Sequence, residues 1–147
     1  MNPIDKRILK LIRKHHIFTL ATAEDNKPYC STCFYTYIEQ KNVFVFISEH
    51  KTRHIGQVMK QPVVAGSIAL ETRIIGKIRG LQFTGKMTEL KDQDLQAARK
   101  AYLLKFPYTL PFLKDTPFWG ITPDFIKLTD NRMGFGTKLI WSVLDRL

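Results

Sequence analysis

From Ile17 onward the apolar residues of this chain stop repeating at helical spacing and begin to alternate, and that change of period limits what the chain can fold into. Residues 29–38 are the clearest case. Tyr29, Ser31, Cys33, Tyr35 and Tyr37 fall on one face of a strand, and Cys30, Thr32, Phe34, Thr36 and Ile38 on the other. Strands are also expected over residues 18–23, 43–48, where an apolar run ends at Ser48, and 63–70. Asp25-Asn26-Lys27-Pro28 and Gln40-Lys41-Asn42 supply the turn chemistry between them. Residues 74–90 form a long strand region punctuated by Gly76, Gly80 and Gly85, the bulges or sharp coiling that a small barrel requires. Residues 119–122 and 125–129 read as a closing strand pair turned at Pro123-Asp124, and Met133-Gly134-Phe135-Gly136 as a turn before Leu139-Ile140-Trp141.

Helical spacing survives in three places. Near the N-terminus, Ile4, Ile8, Leu11, Ile12 and His15 make one face, with Asn2 as expected N-cap, Pro3 at the first helical position and Asp5 in the first turn. Ile55, Val58 and Met59 make the stripe of a short helix that Thr52 caps, and a third helix is expected over residues 92–106 with Asp92 as its cap. At 147 residues, with neither repeat nor linker, the chain reads as one domain over residues 1–147. The pattern gives a barrel-type α+β fold of about six short strands with helices outside.

No apolar run approaches the roughly 18 residues of a membrane span, and the N-terminus lacks a signal-peptide h-region, so a cytoplasmic protein is expected. Formal net charge is +10, from 23 Lys and Arg against 13 Asp and Glu, which favours anionic partners. Two cysteines, Cys30 and Cys33, sit on opposite faces of one strand, so their C-x-x-C spacing predicts neither a metal nor a redox site. No triad, paired-carboxylate or zinc pattern stands out, and no catalytic residue is assigned.

Residues 43–59, VFVFISEHKTRHIGQVM, carry the most chemistry: strand, polar turn, then the start of a basic helix. The first amides of a helix have no internal partner and point at whatever lies in front of them. Ser48 and Thr52 add hydroxyls, Lys51 and Arg53 add charge, and an arginine can grip phosphate oxygens in bidentate fashion. That is a recipe for holding a phosphate. The blander reading is a capped surface helix with solvated basic residues.

Strand, S-E-H-K-T-R-H, helix, strand and then I-R-G-L-Q-F-T-G-K-M-T-E-L together resemble the FMN-binding split barrels related to pyridoxamine 5'-phosphate oxidase, over residues 17–128. KTRH, RGLQFTGK, ARKAY, KFP and TDNRMGFGTKLIW have the look of a small bacterial branch of that superfamily. The resemblance implies a six-stranded antiparallel split β-barrel with peripheral helices, an FMN cofactor, a role as oxidoreductase of unknown substrate and a homodimer with flavin in the interface. It places Arg53 at the phosphate-binding arginine of the turn, with Ser48, Lys51, Thr52 and His54 beside it. Amides from Thr32, Cys33 and Phe34 would meet the ring edge, and Gln82 and Trp141 would act from the neighbouring subunit. Phe34, Phe46 or Trp141 would wall the ring, unless Phe34 and Phe46 are core residues and Trp141 a C-terminal anchor. The sequence also departs from the oxidases. His54 stands where they carry lysine, Ser31 and Thr36 are neutral where they bring basic residues, and Gly80 aligns with a flavin-holding glutamine. Their C-terminal arginine motif for substrate phosphate has no counterpart, so the resemblance does not extend to that substrate.

Two other readings compete with FMN. One is a basic nucleic-acid-binding barrel that uses Tyr29, Tyr35 and Tyr37 as an exposed stacking face. The other is a split-barrel relative that binds haem, a deazaflavin or no cofactor.

Overall fold

The computed structural model describes residues 2–144, and in it the alternating stretches become seven antiparallel strands rather than six. In chain order they are β1 (Ile17–Glu24), β2 (Lys27–Ile38), β3 (Val43–Ile47), β4 (Val63–Ala69), β5 (Arg79–Glu89), β6 (Phe118–Asp130) and β7 (Lys138–Ser142). The order across the sheet is β3-β2-β1-β4-β5-β6-β7, and β3 pairs back onto β6, so six strands close into a ring. The length of β6 allows this. Its first residues pair with β3 (Phe44↔Ile121 to Ile47↔Phe118) and its last with β7 (Phe125↔Ser142 to Thr129↔Lys138).

The expected reversal at Pro123-Asp124 does not occur, and residues 118–130 are one strand. The interruption is a bulge, with the register against β5 shifting between Thr84 and Gly85. Proline has no N–H for the ladder and is tolerated at such a place. Gly85 permits it, because a side chain there would meet the Thr122 carbonyl oxygen at 2.4 Å.

Three α-helices, α1 (Lys6–Lys14), α2 (Arg53–Lys60) and α3 (Asp92–Lys105), pack on this ring. The N-cap of α1 is Asp5, not Asn2. The Asp5 carboxylate accepts the Arg7 N–H at 2.8 Å and also grips the Arg7 guanidinium, which Asn2 could not do. Asn2 instead gives its carbonyl to the Trp141 indole N–H at 2.9 Å, tying the N-terminal segment to β7. The cap position of α3 is Lys91, one residue before the expected Asp92. No helix among the described residues is long and apolar enough to cross a membrane.

The ring interior is aromatic. Phe18, Tyr35, Phe44, Phe46 and Phe83 are almost fully buried, and the Phe44 and Phe83 rings stack at 4.4 Å. Helix α1 adds Ile8, Leu11 and Ile12, and α2 adds Ile55 and Val58. Tyr35 donates its hydroxyl hydrogen to the Ile12 carbonyl at 2.6 Å, fixing α1 to β2. Helix α3 covers the outside through a second cluster of Val45, Ala98, Tyr102, Phe106, Leu113 and Phe118. Its Lys105 donates to the His15 carbonyl at 2.7 Å and lies over the Tyr35 ring; burial pulls its pKa down to about 8.

Gly66 makes room for this stack. A Cβ there would fall 2.2 Å from Phe83 Cζ, and Phe83 is held against Phe44 and cannot swing away. Gly66→Ala is therefore expected to destabilise the fold by about 1–3 kcal/mol, the usual cost of overpacking a core. Urea unfolding checks it: the midpoint should fall with an unchanged slope.

Candidate functional site

The candidate site begins where β3 ends. Ser48 is held by its backbone at both groups: its N–H donates to the Pro117 carbonyl at 3.3 Å, and its carbonyl accepts the Trp119 indole N–H at 3.0 Å. Four residues later Thr52 sits at the N-cap of α2, as the sequence predicts, but its side chain makes no capping bond. The hydroxyl is turned back to donate to the Glu49 carbonyl at 3.0 Å. The first amides of α2 thus lack both an intrahelical and a side-chain partner.

Beside them, Ser48 Oγ lies 2.6 Å from His54 Nε2 and 3.3 Å from Thr52 Oγ1. The structure therefore brings Ser48, Thr52 and His54 into one cluster. Partial burial lowers the His54 pKa from its ordinary value. The helix itself is locked down from below, where the Thr22 hydroxyl donates to Gln57 Oε1 at 2.6 Å in a buried contact. Arg53 is exposed and spreads its guanidinium over the Tyr29 ring, 4.3 Å from the centroid, and Lys51 is exposed. The sequence did not single out Tyr29 as the support of Arg53. The available signal was that Tyr29 shares a strand face with Tyr35.

Next to this cluster the sheet has a gap. Strand β3 pairs only with residues 35–38 of β2, so among the described residues the remainder of that β2 edge has no strand beside it. In an antiparallel ladder successive residues direct their backbone groups to alternate sides. The Tyr35 N–H points toward β1, where it donates to His16. By alternation Cys33 also faces β1, opposite its partner Phe18, whereas the amides of Thr32 and Phe34 face the open edge. Of the three expected ring-edge amides, Thr32 and Phe34 are thus placed for a ligand and Cys33 is not. The Cys33 side chain packs against the core, and burial pushes its thiol up to about 11.

The remaining expected residues lie elsewhere. Phe34 is 50% exposed, on the outer face, with its ring edge against Phe106, so it is not a core residue. Phe46 is core and cannot wall a ligand. Trp141 is buried and committed to Asn2. Gln82 is exposed on the outer face of β5, where the register runs Thr32, Thr19, Ser67, Gln82 across four strands. Three strand spacings put it roughly 14 Å from Thr32. It lines a shallow cavity of about 280 Å³ with Thr19, Ala21, Cys30 and Phe125. The stacking face expected for nucleic acid is absent, because Tyr35 is fully buried and Tyr37 partly so. Among the described residues no group of three or more His, Cys, Asp or Glu is placed to hold a metal ion.

The sign of the His54 shift sets a pH dependence. Its folded pKa lies below 6.5, so on acidification the unfolded chain takes up the proton first. Stability linked to His54 is present above pH 6.5 and is lost as pH falls through the folded-state value. His15 is shifted the same way, so a variant is needed to isolate His54. Thermal melts at pH 7 and pH 5 should show a smaller acid-induced drop in His54→Gln than in the parent.

Comparison with known proteins adds context to this geometry. The family model described as Pyridoxamine 5'-phosphate oxidase matches residues 4–129. UPF0306 protein YhbP of Escherichia coli O157:H7 is 37% identical over 134 residues, 91% of this chain and 90% of that protein. Among solved structures, a heme binding protein from Mycobacterium smegmatis superposes with TM-score 0.75 at 16% identity, over 90% of this chain and 56% of that one. A FAD-binding protein from Mesorhizobium loti superposes with TM-score 0.68 at 18% identity, over 82% and 88%.

Proposed function

This chain belongs to the pyridoxamine 5'-phosphate oxidase family, and from that premise we propose that it is an FMN-binding flavoprotein, an oxidoreductase that works as a homodimer. We read the six strands that close on one another as the family's split barrel, with β7 as an addition along β6. The observation that carries the cofactor reading is the uncapped start of α2 beside Ser48, Thr52 and His54, next to the open edge of β2.

These residues fit FMN in kind. Hydroxyls, free helix amides and a nearby guanidinium suit a phosphate. The free amides of Thr32 and Phe34 suit the polar edge of a flavin ring, and the half-exposed Phe34 ring offers an apolar contact. Arg53 can bond phosphate oxygens while its face remains on Tyr29, which pre-orients it. Bound FMN would supply hydride or electron transfer. The protein's part is to bind and orient it, with Ser48 and His54 sharing a proton that leaves one of them free to donate to an anion.

Gln82 fits only as a residue of a second copy, given its distance from Thr32 within one chain. The outer face between them carries small side chains, Thr19, Ala21, Ala65 and Ser67, which line the shallow cavity beside Gln82 and leave room for another subunit's side chains. An obligate interface of this kind buries on the order of 2,000 Å² or more in total. Sedimentation at micromolar concentration should show a dimer; a stable monomer would remove Gln82 from the site.

Titrating apo-protein with FMN and with riboflavin tests the phosphate clamp. FMN should bind more tightly, and equal affinities would overturn the clamp. Arg53→Ala should weaken FMN by about 1.5–3 kcal/mol, the scale of hydrogen bonds to charged groups, and riboflavin much less. Lys51→Ala should cost less and depend more on salt. The haem-binding structural relative names the competing cofactor, and a Soret band from purified protein in place of a flavin spectrum would favour haem.

A further inference from the structure

A second cavity lies away from the cluster at α2, where α1 meets the start of β5 and the end of β6. It encloses about 370 Å³ and is lined by Lys10, Lys14, Arg79 and Arg132, with the edges of Leu11 and Leu128 at its floor. Arg7, Asp130 and Met133 complete its rim. We propose that this cavity is a binding site for a small phosphorylated ligand with an apolar body.

Charge bookkeeping around the cavity points to an anion. Arg132 is neutralised by Asp130 through two hydrogen bonds, at 3.0 and 2.8 Å. Arg7 is neutralised by Asp5 at 2.8 Å. Lys10, Lys14 and Arg79 have no carboxylate within salt-bridge distance among the described residues. Solvated lysines on a helix face would be unremarkable, but Arg79 is different: its Nε is buried and has no hydrogen-bond partner. A buried donor left unpaired is costly, and native structures seldom keep one without a reason. His15, just past the end of α1, repeats the pattern, because its Nε2 is also buried and unpartnered. Burial is the main cause of its lowered pKa, and next come the charges of Arg79, Lys14, His16 and Lys105. Asp130, the cross-strand partner of Arg79, feels the charges of both Arg132 and Arg79, which help hold its carboxyl below the usual value. Among the described residues it is the one carboxylate in a lining with five basic side chains, so the local field remains positive.

The shape adds the second half of the ligand. The volume exceeds what an inorganic phosphate needs and falls in the range of small-molecule pockets. Leu11 and Leu128, nearly fully buried, reach the cavity only at their edges, and the partly exposed Met133 with the methylene stems of Lys10 and Lys14 supplies most of the apolar surface that a ring or chain would cover. Two lysines one helical turn apart and an arginine across the cleft suit the dianion of a phosphomonoester, with Arg79 giving directional bonds and the lysines point charge. This site is separate from Ser48–His54 and does not depend on the flavin reading.

The test is an NMR titration of the isotope-labelled full chain with naphthyl phosphate, with naphthol and inorganic phosphate as parallel arms. Naphthyl phosphate should shift the amides of residues 10–15, 79–80 and 128–132, and each partial ligand should bind on the order of tenfold more weakly or worse. Lys10→Gln with Lys14→Gln changes only exposed side chains, so it should fold normally and lose on the order of tenfold in affinity. Arg79→Gln should lose at least as much. Arg53→Ala should leave these shifts in place, which separates this site from the clamp at α2. Shifts confined to residues 48–54 would overturn the proposal. So would a Lys10/Lys14 double variant no weaker than a folded control carrying Lys100→Gln and Lys114→Gln on remote surface, since that would reduce binding to general charge.

Discussion

Everything else in this molecule depends on the pairing of β3 with the first residues of β6. That pairing closes the sheet and encloses Phe18, Phe44, Phe46 and Phe83 within one ring. It also fixes where β3 must stop. Because Trp119 of β6 holds the Ser48 carbonyl, the chain leaves the sheet at a set point, and the polar turn and α2 start from there. The shortness of β3 then leaves two thirds of one β2 edge without a strand partner among the described residues. The free helix amides and the free strand amides of the candidate site are both consequences of this closure.

Much of this was legible in the sequence, for reasons that differ by element. Strand β2 was readable because its alternation runs for ten residues and one face is buried. Thr52 was readable because a cap follows directly on a strand end and precedes an apolar stripe. Residues 118–130 misled because Pro123-Asp124 has turn chemistry. The glycine that converts a turn into a bulge, Gly85, lies on another strand and was not tied to Pro123 by local pattern. Asn2 and Asp5 are both good caps, and Arg7, which bonds the Asp5 carboxylate through its backbone N–H, Nε and Nη2, decides between them. Trp141 reads as a candidate ring wall until its partner is known, and that partner, Asn2, is at the other end of the described chain.

The site residues divide along the same line. Ser48, Thr52 and His54 are near neighbours in sequence, and their cluster follows from one turn and one helix start. Arg53 against Tyr29, Gln82 across three strands and Arg79 beside Lys14 are long-range outcomes of register, which no window of local sequence contains. The net charge of +10 is likewise uninformative until it is placed. In the fold part of it is paired, much is spread over the surface, and one group of unpaired basic residues, Lys10, Lys14 and Arg79, meets beside α1.

The central claim is that a flavin phosphate and ring edge are held by the start of α2 and the open edge of β2. Amide shifts of the isotope-labelled protein titrated with FMN test it most directly. The account predicts that the largest changes fall on Thr32, Phe34, Arg53 and His54, with saturation. Saturable FMN binding whose shifts leave those amides unmoved, or no binding by a folded protein, would contradict it.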